Sequence, residues 1–492
     1  MNIPRTNALL WLATALLIMP NGAKSQDYLH TSGGQIADSK GNVVRLTGLS
    51  WFGLETPNYC PHGLWVRSMD SMLDQIRGLG YNMIRVPFST EMLDPGSTPN
   101  GIAYNLNPDL QGLTGLQILD KLVAGARQRG LKIVLDRHRL EPWSQSPLWY
   151  DSQYSEARWI SDWQMLAQRY NANDTVIGCD LHNEPHTPAD WGSGNLSTDW
   201  RLAAERAGNA ILAVNPHLLI IVEGIGWGSD LTEAAQYPVR LNVGNQLVYS
   251  PHDFPNSVAI QPQFYAPNYP ANLPGMWDAH WGYLAKQNIA PLWLGEFGTE
   301  DVTLSDQQWF QAITNYLLSS GISFSYWCWN PDSGDTGGIL EDDWQTVHPD
   351  KQAMLQPLLA PLIGGASNPI FTVSGVVSPY TQVWWGEEDV KLSTTQPITA
   401  LTITITVVKA PGVSYYAQYT NAGGYFTSSA YDNGSAIVYT YTLNPDQVID
   451  PGNTLTAGAQ YNGNGTLRST VNDTYQVTAT IGASSQSVNG HF

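Results

Sequence analysis

Two glutamates in this sequence stand in matching settings, each at the C-terminal end of an apolar run. The stretch VIGCDLHNEP at 176–185 opens apolar and ends in Asp180, His182, Asn183 and Glu184, and PLWLGEFG at 291–298 places Glu296 likewise. Such a run reads as a strand of a parallel sheet, buried on both faces, with its chemistry where it leaves the sheet. Two carboxyls presented this way suit a double displacement at a glycosidic carbon: one delivers and later takes up a proton, the other forms a covalent bond. Arg85, His138, His252, Trp327 and Trp329 end further apolar runs. Singly, each has an ordinary explanation, as an ion-paired arginine, a satisfied core histidine or a packing tryptophan. Gathered at the same end of six strands, they define a site.

The elements that must position these groups alternate along the chain. Strands are expected over 43–54, 82–88, 132–138, from 176, and over 218–224, 246–254, 291–298 and 323–330. Helices are expected over 69–79, 116–129, 156–170, 199–214, 276–287, 305–320 and 351–363. Eight strands alternating with helices imply an α/β fold, a (β/α)8 TIM barrel spanning 26–363. An open doubly wound sheet would need a Gly-rich phosphate loop after the first strand, and GLSWFG at 48–53 does not make one.

The 492 residues suffice for two or three domains. Charged residues make up only 13%, while 19 Trp and 24 Tyr are present, a folded extracellular composition rather than a disordered one. A net charge of −19 argues against nucleic acid as a partner, because neutralising phosphates needs Lys and Arg. Cys60, Cys179 and Cys328 have neither metal spacing nor a disulfide framework, and are read as buried free thiols, the last two within strands. Residues 1–25 read as a secretory signal peptide: Arg5, an apolar segment over 8–19 too short to span a bilayer, then AKS before the cut. The mature chain is expected to be secreted, monomeric and without a membrane span.

With those residues in hand the chain resembles the cellulases of glycoside hydrolase family five. The matching stretches are SWFGLE at 50–55, NMIRVPF at 82–88, DRHR at 136–139, DLHNEPH at 180–186, YSPHD at 249–253, WLGEFGT at 293–299 and WNPDSGDTGG at 329–338. The resemblance is greatest to bacterial secreted endoglucanases acting on β-1,4-glucan, a neutral polysaccharide partner. It implies Glu184 as acid/base and Glu296 as nucleophile, with Arg85 holding the nucleophile. It further implies Asn183 on the sugar 2-hydroxyl, His138 and His252 at the cleaved bond, Trp327 rather than Trp329 as the stacking platform, and Trp51 as a platform further along. Mannan, xyloglucan and mixed-linkage glucan are rival substrates, and a barrel that binds glycans with little turnover is a rival function. Relatives usually carry Tyr where this chain has Phe254, which removes a hydroxyl from the nucleophile. Cysteines that pin loops near Pro142 and Trp191 in some relatives are also absent here. No metal or organic cofactor is expected; the Asp-rich loop 332–343 lacks the ligand spacing of a helix-loop-helix calcium site and reads as an active-site loop.

Residues 364–369 read as a short linker, and from 370 to 492 the composition shifts to Thr, Tyr, Val, Ser and Gly with period-two alternation, as in ALTITITVV at 400–408. This predicts a β-sandwich accessory domain. Trp384, Trp385, Tyr415, Tyr416 and Tyr425 are candidate carbohydrate platforms there, with core packing in a spacer domain as the alternative.

Overall fold

Short apolar strands that cannot be satisfied on one face only close upon each other in the computed structural model of the chain. It describes residues 28–363 and 371–492, apart from 395, 453, 471 and 482–483. The expected signal peptide and linker lie outside the described residues. The chain divides into two compact units, 1–364 and 365–492.

In the first unit, β1 (His30–Ser32), β2 (Gln35–Ala37) and β3 (Val43–Val44) form a small antiparallel sheet. The strand expected over 43–54 is therefore two strands, β3 and β4 (Thr47–Ser50). The barrel continues through β5 (Met83–Ser89), β6 (Lys132–Arg139), β7 (Val176–Asp180), β8 (Leu219–Glu223), β9 (Leu247–Ser250), β10 (Trp293–Phe297) and β11 (Ser323–Tyr326). These eight strands are parallel, and the bridges Tyr249↔Leu292 and His252↔Glu296 close β9 onto β10. Leu29 and Ile36 pack with Met83, Val134, Ile177, Leu219 and Val248, so the small sheet covers the interior side chains near the strands' N-terminal ends. The opposite, C-terminal end is left for loops and function.

The outer helices follow from capped amphipathic segments: α1 (Met69–Gly78), α2 (Gly115–Gln128), α3 (Glu156–Arg169) and α4 (Trp200–Val214). Ser68, Thr114, Ser155 and Asp199 each accept a backbone N–H from the first turn of the helix that follows, satisfying donors that have no intrahelical partner. On α2, Ile118, Leu119, Leu122, Val123 and Ala126 are buried, the stripe that a 3.6-residue repeat turns toward the barrel. The helix expected over 276–287 is instead α5 (Leu273–Trp277), a π-turn (Asp278–Gly282) and α6 (Tyr283–Lys286). The wider turn accommodates the Tyr316 hydroxyl, which donates to Asp278 Oδ1 at 2.6 Å and occupies the space a Cβ on Gly282 would take. Then come α7 (Leu304–Ser320) and α8 (Pro349–Leu355), the latter ending well short of 363, with Pro357 and Pro361 beyond it. All three cysteines are free and buried; Cys328 lies just past β11 rather than within it.

The second unit is two antiparallel sheets facing each other over an apolar core. One has β12 (Phe371–Val377), β13 (Trp385–Thr394), β18 (Thr454–Asn462) and β15 (Ser414–Thr420); the other has β16 (Phe426–Asp432), β17 (Ala436–Leu443), β14 (Ala400–Val408), β19 (Thr474–Ile481) and β20 (Ser484–His491). On β14, Leu401, Ile403, Ile405 and Val407 are buried and the intervening threonines are not, the alternation of a sheet with one dry face. Trp384, Tyr415, Tyr416 and Tyr425 are exposed.

Candidate active site

Arg85 on β5 is fully buried, and the strand register brings acids to it. Ser50 pairs with Arg85, Asp136 with Asp180 on the adjacent strands β6 and β7, and His252 with Glu296. Arg85 Nε donates to Asp180 Oδ2 at 3.0 Å, and Nη2 donates to Asn183 Oδ1 at 2.8 Å and Glu223 Oε1 at 3.2 Å. The same nitrogen lies 3.1 Å from Asp136 Oδ2, and Nη1 donates to Glu296 Oε1. A guanidinium suits this position because its planar fork has five N–H donors and keeps its charge when buried.

Above this cluster opens a cavity of about 890 Å³ lined by Phe52, His138, Asn183, Glu184, Trp227, His252, Phe254, Glu296 and Trp327, among others. Of the eight site residues expected from the sequence, seven meet here or directly beneath. Glu184 takes a hydrogen bond at Oε2 from Gln145 Nε2 (2.9 Å), and its Oε1 is 3.1 Å from His252 Nδ1. That same Nδ1 is 3.8 Å from Glu296 Oε2, and carboxylate oxygens of Glu184 and Glu296 lie within 4.8 Å of each other. Glu184 sits in the left-handed region, φ +51, a conformation that costs a non-glycine residue energy and persists only where contacts hold it. One such contact is its own N–H, which donates to Glu223 Oε2 at 2.6 Å. Asn183 accepts from Arg85 at Oδ1, while among the described residues its Nδ2 has no acceptor, leaving a donor beside the cavity.

The expected platform Trp51 is corrected by the structure. Its ring is fully buried in the barrel core, with Nε1 donating to His62 O at 3.0 Å. Its main-chain N–H donates to Arg85 O, extending the strand ladder by one residue, so the ring points away from the cavity. The next residue, Phe52, lines the cavity and stacks on Trp327, centroids 5.7 Å apart. Trp327 also lies parallel to His138 at 5.3 Å, whereas Trp329 is buried.

Six groups escaped the sequence reading as site residues. Asp136, Asp180 and Glu223 stand in plain view at the ends of strand-like runs, but their convergence on Arg85 requires the register. Trp227, 53% exposed and stacked on His186 at 3.5 Å, lies in a Gly-flanked loop after β8 that alternation alone does not aim. Phe52 is the residue after the wrongly chosen Trp51. Gln145 carries no sequence signal, being a loop residue brought to Glu184 by the turn after β6.

One fixed cation among so many acids leaves excess negative potential. Burial pushes Asp136 up to about 6, Asp180 to about 7 and Glu223 to about 8, against the attraction of Arg85. Burial alone would lower the His252 imidazole, but Glu223, Glu296 and Glu184 outweigh it and raise it well above its ordinary value. Burial would raise Glu184; bonding and charge from His252, with help from His138 and Gln145, draw it below its usual range. This direction belongs to a charged His252. With a neutral imidazole the same proton sits on Glu184 and is donated to Nδ1. Arg85, the one fixed cation in contact, reaches Glu296 and not Glu184, so the anion of the carboxyl pair belongs on Glu296. Among the described residues three clusters have ligand atoms close enough to chelate an ion: Glu184/His252/Glu296, and Asp136/His138/Glu296 and Asp136/Asp180/Glu223, whose carboxylates are bound to that guanidinium.

Residues 37–333 match the family Cellulase (glycosyl hydrolase family 5). The chain is 53% identical over 362 residues to an endoglucanase of Paenibacillus polymyxa, covering 71% of this chain and 91% of that protein. It is 43% identical over 373 residues to the major extracellular endoglucanase of Xanthomonas campestris, covering 73% and 76%. The solved structure of the catalytic domain of the major endoglucanase of Xanthomonas campestris, 43% identical, superposes with a TM-score of 0.65 over 68% of this chain and 99% of that one. A cellotetraose complex of a Pyrococcus horikoshii endocellulase, 41% identical, gives the same TM-score and coverage. A barrel of eight parallel strands with paired glutamates just after β7 and on β10, and these similarities, together show that the chain is a glycoside hydrolase belonging to the cellulase family, glycosyl hydrolase family 5.

Proposed function

We propose that the protein is a secreted endo-β-1,4-glucanase that cleaves internal bonds of glucan chains with retention of configuration. The observation that carries the reading is the closeness of Glu184 and Glu296, with oxygens within 4.8 Å and Arg85 bonded to the second. Retaining enzymes hold their two carboxyls about 5–5.5 Å apart, whereas inverting ones leave room for a water between them. Glu184 gives its proton to the glycosidic oxygen as the C1–O bond breaks, and the Glu296 carboxylate bonds to C1. Water then attacks C1, passing its proton to the Glu184 carboxylate and releasing Glu296. The unpartnered Asn183 Nδ2 is placed to bond the 2-hydroxyl, an interaction that tightens in the transition state. Trp327, Phe52 and Trp227 offer apolar faces to the sugar rings. The extracellular Xanthomonas relative supports secretion. The exposed Trp384, Tyr415, Tyr416 and Tyr425 support a carbohydrate-binding role for the second unit.

The test is viscosity loss against reducing-sugar release on carboxymethyl cellulose. Wild type should drop viscosity early. Glu296→Gln should lose about 10⁴-fold or more and Glu184→Gln about 10²–10⁴-fold, with the fold intact by circular dichroism. Activity surviving either substitution at near wild-type level refutes the assignment.

A further inference from the structure

Glu223 is the one carboxylate of the buried cluster that touches the acid/base residue, its imidazole partner and the central arginine together. Oε2 accepts the Glu184 N–H at 2.6 Å, and Oε1 accepts from Arg85 Nη2 at 3.2 Å and stands 3.4 Å from His252 Nε2. The residue is fully buried and lines no part of the cavity, so a substrate does not reach it. Resting on the acid/base reading of Glu184, we propose that Glu223 is a positioning residue that fixes both the backbone of Glu184 and the tautomer of His252, and thereby the delivery of the acid proton.

The argument is geometric. An imidazole beside two carboxylates can present either nitrogen, and the second contact decides which one carries hydrogen. Glu223 Oε1, 3.4 Å away, is the acid nearest Nε2, which has no hydrogen-bond partner among the described residues; its pull favours hydrogen on Nε2, so Nδ1, 3.1 Å from Glu184 Oε1, is the nitrogen that exchanges a proton with the acid/base residue. The groups facing His252 are Glu184 after β7, Glu223 on β8 and Glu296 on β10, with the Arg85 charge behind them. The same carboxylate anchors a left-handed residue: φ +51 at Glu184 aims its N–H at Glu223 and its side chain into the cavity. Loss of Glu223 should therefore impair proton donation and leave nucleophilic attack by Glu296 largely untouched.

A leaving group that needs no proton separates this from a structural role. On cello-oligosaccharides, Glu223→Gln should lower kcat/KM by about 10–100-fold, part of the 10²–10⁴ that acid catalysis contributes. On 2,4-dinitrophenyl β-cellobioside, whose leaving group departs unprotonated, the loss should be about threefold or less. Glu223→Asp, which keeps a carboxyl and shortens the reach, should show the same selectivity more weakly. Equal losses on both substrates, or none on either, overturn the proposal. Glu184→Gln is run alongside: if it lacks the selectivity, the acid/base reading itself fails, whereas selectivity in Glu184→Gln alone overturns only the role of Glu223. In the wild-type chain, ¹⁵N NMR of the imidazoles should find His252 Nε2 protonated across the active pH range, and a bare Nε2 overturns the proposal without any variant.

Discussion

Each unit of this protein sets an arginine among acids, fully buried in the barrel and half-buried in the sandwich, and the two clusters serve different ends. In the sandwich, Arg468 Nη2 donates to Glu388 Oε1 at 2.6 Å and to Asp473 Oδ2, while its guanidinium lies 4.6 Å from the Tyr461 ring. Asp473 also accepts the Val408 N–H at 2.7 Å, tying the loop before β19 to the end of β14. Two acids, one cation and a ring make a closed set that joins strands. In the barrel, Arg85 meets four carboxylates, and one of them, Glu296, lines an open cavity beside two histidines. A buried ion pair is weak evidence for stability in either place, since desolvation offsets most of the attraction. What separates them is balance and access. The barrel site has surplus negative charge, titratable neighbours and room for a ligand, the features that mark a catalytic cluster.

Replacing each arginine by lysine is the sharpest way to break the comparison. Arg85→Lys keeps a charge but cannot fork among Asp180, Asn183, Glu223 and Glu296, and endoglucanase turnover should fall about 10²–10³-fold, as when a preorganised donor is removed. Arg468→Lys should leave carboxymethyl cellulose hydrolysis unchanged and lower sandwich stability by about 1–3 kcal/mol, read by amide exchange in β14 and β19. Comparable activity losses in both variants would erase the distinction.

Their pH responses should differ next. A carboxyl whose folded pKa is raised binds more protons folded than unfolded, so its contribution is present at low pH and is lost as pH rises through the folded value. In the barrel this covers Asp136, Asp180 and Glu223, from ordinary values of 3.8 and 4.5 up to about 8. In the sandwich it covers Glu388, pushed up to about 9 by burial and by Asp473. Protection of barrel strands should therefore decline more steeply between pH 5 and 8 than that of the sandwich, at about 1.4 kcal/mol per pH unit for each proton difference. Parallel declines in the two units would show that the barrel acids carry no surplus.

The smallest effect concerns a hydroxyl missing beside Glu296, the proposed nucleophile. Phe254 lines the cavity next to Asp253, whose N–H donates to Glu296 O at 3.1 Å, and among the described residues Arg85 alone hydrogen-bonds the Glu296 carboxylate. Phe254→Tyr should raise kcat a few-fold, about 1 kcal/mol. Equal or lower turnover would mean that Arg85 already supplies all the positioning Glu296 needs.

Much of this was legible in order of residues alone. The apolar runs, those around Glu184 and Glu296 included, and the segments with helical spacing between them pointed to eight strands alternating with helices, because these patterns have short periods that neighbouring residues carry themselves. Trp51 shows where that reading stops. It and Phe52 are adjacent, equally aromatic, and differ only in which face the strand's last residues present. The π-turn at 278–282 likewise follows from a partner on α7, Tyr316, distant in sequence.

By itself, then, the sequence determined the barrel and the alternating sandwich strands, and it put Glu184 and Glu296 at the ends of two apolar runs, since local periodicity and residue type suffice for each. Only the tertiary structure decided that Asp136, Asp180 and Glu223 share one guanidinium, that Gln145 reaches Glu184, and that Trp227 rather than Trp51 faces the cavity. Those depend on inter-strand register and loop path, which are set by packing across the whole barrel and leave no periodic trace along the chain.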